Sequence, residues 1–146
     1  MLDLGLAVAH HVLVFGLAVM LAMELALLKG PPVVAKRLTS LDAGYGLTAV
    51  LVLAVGTARV VWGGKGWIYY ADNPWFWAKI ATFTVIGLLS VPPTLAFMRW
   101  RKAQGSDASF QPEARDLARV RTIVRLEVLL LFPLVAFAAT MARWSA

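Results

Sequence analysis

The residues with the most chemistry in this chain are its two histidines, His10 and His11, adjacent inside an apolar run from Leu4 to Leu28 and the only imidazoles among 146 residues. Lipid offers no water to solvate an imidazole, so a histidine within a membrane segment marks a functional site by default. The helical repeat separates the two. At 100° per residue, His10 lies about 40° out of register with Glu24 and His11 about 140°. If Glu24 faces a bundle interior, so does His10, while His11 faces a neighbouring helix, a second subunit or the membrane interface. Each is either a hydrogen-bonded packing group or a ligand.

Two groups of polar residues accompany them. Arg59, Lys79 and Met141 fall with the histidines in one outer third of the predicted bundle. Around them stand Trp62, Trp67, Tyr69, Tyr70, Trp75, Trp77 and Trp144. Those aromatics are an interfacial belt, or in part the stacking walls of a porphyrin or quinone pocket. Glu24, Asp42, Arg125 and Glu127 fall at the other end, where Arg125 between three carboxylates is expected to form a structural ion-pair cluster. A role in proton entry is the alternative there.

A bis-histidine haem takes its ligands from two facing helices, and this chain has histidines on one only. What remains for one protomer is five-coordinate iron on His10, or a His–Met or His–Lys pair. Met141 is the best-placed thioether. Arg59 and Lys79 would then meet haem propionates, although Asp72 could also serve Arg59 and Lys79 could snorkel to the interface. Copper is the alternative metal, with His10, His11 and Met141 as its ligands. The absence of cysteine excludes thiolate, iron–sulfur and disulfide chemistry.

The elements that must position these residues are membrane helices. Hydrophobic residues make up 60% of the chain, well outside the soluble range. Four runs, about 4–28, 41–62, 75–100 and 112–144, each supply the roughly 20 residues a crossing needs. The expected fold is therefore all-α: an integral membrane four-helix bundle, a single domain over 1–146. Gly30-Pro31-Pro32 and Gly63-Gly64-Lys65-Gly66 stop the first two runs, and Asn73-Pro74 opens the third. The glycine stretch lacks the preceding strand and the Lys-Ser/Thr ending of a phosphate loop. Pro112 is placed as a first-turn proline, so that the last helix projects beyond the bilayer with Arg115, Arg119, Arg121 and Arg125 near anionic headgroups.

Ten basic residues flank the 1–2 and 3–4 connections, against Arg59, Lys65, Lys79 and Arg143 opposite. The positive-inside rule then puts both termini on the periplasmic side of a bacterial inner membrane. The net charge of +6 reflects this topology and not nucleic-acid binding. The N-terminal run carries Asp3 in place of a basic n-region, and is expected to be retained. Gly5, Ala9 and Gly16 would permit a homodimer contact. No repeated halves or broken helix pair suggests a transporter.

The segments "LDAGYGL", "ARVVWGGKGWIYYADNPWFWAK" and "RLEVLLLFPLVAFAATMAR", with a span-one histidine, make the chain resemble an uncharacterised bacterial family of predicted membrane proteins of about this length. More distantly it is similar to CopD-like copper-resistance proteins and HemJ-type protoporphyrinogen oxidases. The HemJ likeness rests on His10 or His11, on Lys36-Arg37, and on Trp77 followed by Lys79. It implies haem b and an oxidoreductase acting on a tetrapyrrole. The second histidine, the Arg59 stretch and the arginine-rich fourth helix depart from that pattern. Three functions follow: a haem b redox protein, with its substrate or redox partner unspecified, a periplasmic-side copper-handling protein, or a structural or assembly subunit of a membrane complex.

Overall fold

A computed structural model describes residues 2–64 and 66–143, the side chains of Leu2 and Asp3 excepted. Lys65 and Trp144, which enter the charge balance and the aromatic belt, lie outside the described residues. The chain forms α1 (Leu2–Leu27), α2 (Ala35–Trp62), the short α3 (Gly66–Ala71), α4 (Pro74–Ser106) and α5 (Ala114–Ala142). Four of these are long and apolar enough to cross a membrane. Gly66, at φ +74°, makes the left-handed turn into α3 at a position where a side chain would be strained.

The four long helices run alternately up and down. In cross-section α1 touches α2 and α5, and α4 touches α5 and α2, while the backbones of the diagonal pairs α1/α4 and α2/α5 stay apart. The result is a square bundle with room on its axis. Its outer faces carry Val8, Val12, Phe15, Leu47, Val50, Leu88, Leu95, Leu129 and Phe132, all exposed. In water this would be an apolar patch far beyond what a monomer shows, whereas in a bilayer it is the lipid-facing coat.

At the end carrying the 1–2 and 4–5 loops, the core is Leu28, Leu38, Phe97, Trp100, Leu117, Val120 and Val124. Here α4 continues six residues past Trp100, where the third span was expected to stop, and α5 begins at Ala114, two residues after Pro112. The projecting arginine-rich turns are therefore not a lone helix. They pair with the end of α4 through Asp116, whose Oδ2 accepts from Arg99 Nη2 at 2.6 Å and from Trp100 Nε1 at 2.9 Å. In the connecting turn, Ser109 donates its backbone N–H and its hydroxyl to Asp107 Oδ1, which holds that carboxyl below its usual range.

Val34 gives α2 no side-chain cap. Gln104 from α4 takes over: its Oε1 accepts from Ala35 N at 3.0 Å, and its Nε2 donates to Val33 O at 2.7 Å and to Phe110 O at 3.2 Å. One amide thus satisfies the start of α2 and two loop carbonyls. Leaving a buried polar group without a partner costs about 1–3 kcal/mol. Gln104→Leu is therefore expected to destabilise the protein by at least about 2 kcal/mol, read as a lowered unfolding temperature in detergent, whereas Gln104→Glu should lose the donated bonds and keep the accepted one.

Candidate functional site

Residues seven apart stay on one helix face to within about 20°, and the inward faces here follow that spacing. On α1 the series is His10, Leu17, Glu24; on α2, Tyr45, Val52, Arg59; on α5, Glu127, Leu134. Because neighbouring helices are antiparallel, the series align as layers. Leu17, Val52 and Leu134 are buried, and with Phe83 of α4 they make an apolar layer across the bundle. Basic groups lie on its terminal side and acidic groups on the other.

On the terminal side the bundle encloses a cavity of about 220 Å³ lined by all four long helices, with Trp67 of α3 at its edge. The apolar layer forms its floor. His10 and Lys79 are the ionisable groups on its wall. The His10 ring lies within reach of the Val52 backbone, and its Nδ1 is buried with no hydrogen-bond partner. Gly56 makes room for this ring: a Cβ there would stand 3.4 Å from His10 Cε1. Lys79 Nζ sits 5.3 Å from the centre of the Phe76 ring. Arg59 lies within electrostatic reach of both His10 and Lys79, and its Nε is likewise buried without a partner.

Among the described residues the one ion pair is Arg99–Asp116, at the far end. Asp72, expected as an anion for Arg59, is exposed. Two cation-capable groups, His10 and Lys79, therefore stand on the wall of one apolar cavity, with Arg59 in electrostatic reach of both and no acid on the wall. Such an arrangement suits a ligand with an apolar body and a carboxylate-bearing edge.

The other expected site residues are distributed as follows. His11 is exposed, and its Nδ1 is 2.6 Å from the Ala7 carbonyl on its own helix. The two imidazoles stand perpendicular with centroids 6.2 Å apart, so the structure does not converge them on one point. Trp62 is 68% exposed and off the cavity wall. Met141 is also off the wall. Its backbone carbonyl, not its thioether, holds the neighbourhood together, accepting from Tyr69 Oη at 2.7 Å and Asn73 Nδ2 at 3.2 Å. Those bonds fasten α3 and the start of α4 to the end of α5, where Trp75 also stacks on Phe137. Of the aromatics, Trp67 reaches the cavity and Tyr70 is buried against Phe76, while Trp77 is half exposed and donates Nε1 to Ala71 O.

At the other end Glu24, Asp42 and Glu127 are buried together, but Arg125 does not join them. Two residues along a helix turn the side chain by about 200°. With Glu127 inward, Arg125 points away from the bundle, and it is exposed. The expected ion-pair cluster is thus an acidic cluster without its cation.

The donor set at the cavity fits haem b in part. His10 would offer one imidazole nitrogen to the iron, and Lys79 on the wall, with Arg59 nearby, would face the propionates. The volume is smaller than the roughly 300–1,000 Å³ of typical ligand sites. Leu53, Thr57 and Val135 on its wall are exposed towards lipid, so a macrocycle would require that side to open. Among the described residues no group of three His, Asp or Glu side chains is arranged to hold a metal ion directly.

Comparison with family models matches residues 2–145 to one described as "Predicted membrane protein (DUF2214)". Comparison with curated proteins and with solved structures gives no match.

Proposed function

Since the chain belongs to the DUF2214 family of predicted membrane proteins, a description that gives location and no chemistry, we propose from its cavity that it binds haem b and has a redox role, as an oxidoreductase or an electron carrier. The observation that carries this reading is the His10 Nδ1, buried without a partner at the wall of an interhelical cavity whose remaining ionisable neighbours are all basic. The Val52 backbone lies within reach of the His10 ring, but a buried Nδ1 without a well-formed hydrogen bond gains from a ligand that takes it.

In this reading His10 is the axial ligand and Arg59 and Lys79 hold the propionates. The apolar floor of Leu17, Val52, Phe83 and Leu134 keeps water from the far side. The resemblance to HemJ-type oxidases read in the sequence from His10 or His11, Lys36-Arg37, Trp77 and Lys79 would imply the same cofactor. The excess of basic residues at the 1–2 and 4–5 loops supports placing the cavity end and both termini on the outer side of a bacterial inner membrane.

Protein expressed with ample haem and purified in detergent is expected to show a Soret band, with sharpened visible bands on reduction. Colourless protein under those conditions overturns the reading. Elemental analysis of the same material separates the other two: copper lost on replacing His10 and His11 would establish the copper-handling protein, and a metal-free chain that co-purifies stoichiometrically with a membrane complex would establish the assembly subunit.

A further inference from the structure

The acidic cluster lies outside the cavity and the proposed haem reading makes no use of it. Glu24 and Glu127 are each 1% exposed and Asp42 7%, which places three carboxyl groups from three helices in the bundle interior. Asp42 is seven residues, about 10 Å, inside the start of α2, a helix long and apolar enough to cross a membrane. The three are within electrostatic reach of one another and of Tyr45, itself buried.

No cation answers them. No basic residue lies between His11 and Lys29 or between Lys79 and Arg99; on α2 none lies between Asp42 and Arg59, and Lys36 and Arg37, one to two turns before Asp42, are exposed. On α5 Arg125 is exposed, and Arg121 Nε donates to the Leu28 carbonyl at 2.6 Å. The groups that face the cluster are thus Tyr45 from α2 and Thr94 from α4. Apolar residues close it on both sides: Leu17, Val52 and Leu134 towards the cavity, and Leu28, Leu38, Phe97 and Val124 towards the loops.

Two observations point to what binds there. The first is that Glu24 Oε1 and Glu127 Oε1 are buried with no hydrogen-bond partner. An ionised carboxylate left so inside a membrane carries the desolvation cost of a charge with nothing opposite it. The second is the count of protons around Thr94. Its Oγ1 lies 2.9 Å from Asp42 Oδ1 and 3.0 Å from the Ser90 carbonyl, yet a hydroxyl has one proton to give. Both contacts become hydrogen bonds if Asp42 carries a proton and donates to Thr94, which then donates to Ser90. The Ser90 bond is the ordinary back-bond of a helical threonine. The three carboxyls are also not arranged to converge on a metal ion, whereas a proton needs only one oxygen and one neighbour.

We propose that Glu24, Asp42 and Glu127, with Thr94 and Tyr45 beside them, form a shared proton-binding site inside the membrane, separated from the cavity by the Leu17–Val52–Phe83–Leu134 layer. Its chemistry is the making and breaking of carboxyl O–H bonds, with no redox step and no other reactant. It stands whether or not the cavity takes haem.

Infrared spectroscopy of the whole protein in lipid tests it directly, because a protonated carboxyl has a C=O stretch apart from the amide and carboxylate bands. At neutral pH the wild type is expected to show that band, shifted on transfer to D₂O. Glu127→Gln should remove part of it, and Glu24→Gln/Asp42→Asn/Glu127→Gln all of it. If the triple variant does not fold, the wild type and the single variant still decide. A wild-type spectrum with no protonated-carboxyl band overturns the proposal. So does a band that converts to carboxylate on adding sodium, potassium or calcium salts at constant pH, which would make this a cation site instead.

Discussion

His10→Ala protein, expressed with haem and purified, is expected to lose the Soret band, whereas His11→Ala keeps it. The asymmetry comes from the helix: His10 meets the cavity and offers a buried Nδ1, while His11 is exposed and close to Ala7 O on its own helix. Removing even an outer partner of a metal ligand costs roughly 10–100-fold in affinity, so loss of the ligand itself should exceed that. The fold should tolerate the change, because alanine is the better helix former and the substitution removes an unsatisfied buried atom. Added imidazole should restore the band in His10→Gly, a rescue that a merely structural histidine would not give. A wild-type spectrum in His10→Ala would overturn the axial role.

Trp100→Ala is expected to cost about 3–5 kcal/mol of stability. The ring is 1% exposed, tilts against Phe97 at a centroid distance of 5.8 Å, and donates Nε1 to Asp116. Truncation removes a large ring buried where α4 and α5 meet and with it one of the two donors to the Asp116 carboxylate. Trp100→Phe should recover most of the ring burial and lose the hydrogen bond, leaving a deficit of about 1–2 kcal/mol. Thermal or denaturant unfolding in detergent, compared with wild type, reads both. Trp100 lies beyond the acidic cluster from the cavity, so whatever Trp100→Ala protein remains folded should keep an unchanged absorption spectrum.

Hydrophobic length and turn residues were enough to find all four membrane helices, because a bilayer admits few alternatives to a long apolar helix. The Asn73-Pro74 start is also visible, and Asn73 Oδ1 does accept from Trp75 N. The division between His10 and His11 followed from 100° per residue. The same arithmetic, applied to Arg125 and Glu127, would have turned Arg125 outward and revealed an uncompensated acidic cluster; charge complementarity overrode it. Other features had no local signal. Helix α3 is six residues long and held by Tyr69, Tyr70 and Asn73 contacts to α4 and α5. The continuation of α4 past Trp100 depends on a partner helix that begins eight residues after its own end. Gln104 reads as a loop polar residue until the start of α2 is seen beside it.

The apolar layer between the two polar ends has an electrical consequence. Water and mobile charge lie to either side of a membrane, and an apolar slab of Leu17, Val52, Phe83 and Leu134 within the bundle is where a transmembrane voltage would fall most steeply. One elementary charge moved through the full potential exchanges about 2.3 kcal/mol per 100 mV. Groups that titrate as bases lie on one face of that slab and groups that titrate as acids on the other. Any proton or electron that reaches one polar end without crossing the slab has traversed only part of the field, and its equilibrium there must depend on the voltage the membrane holds.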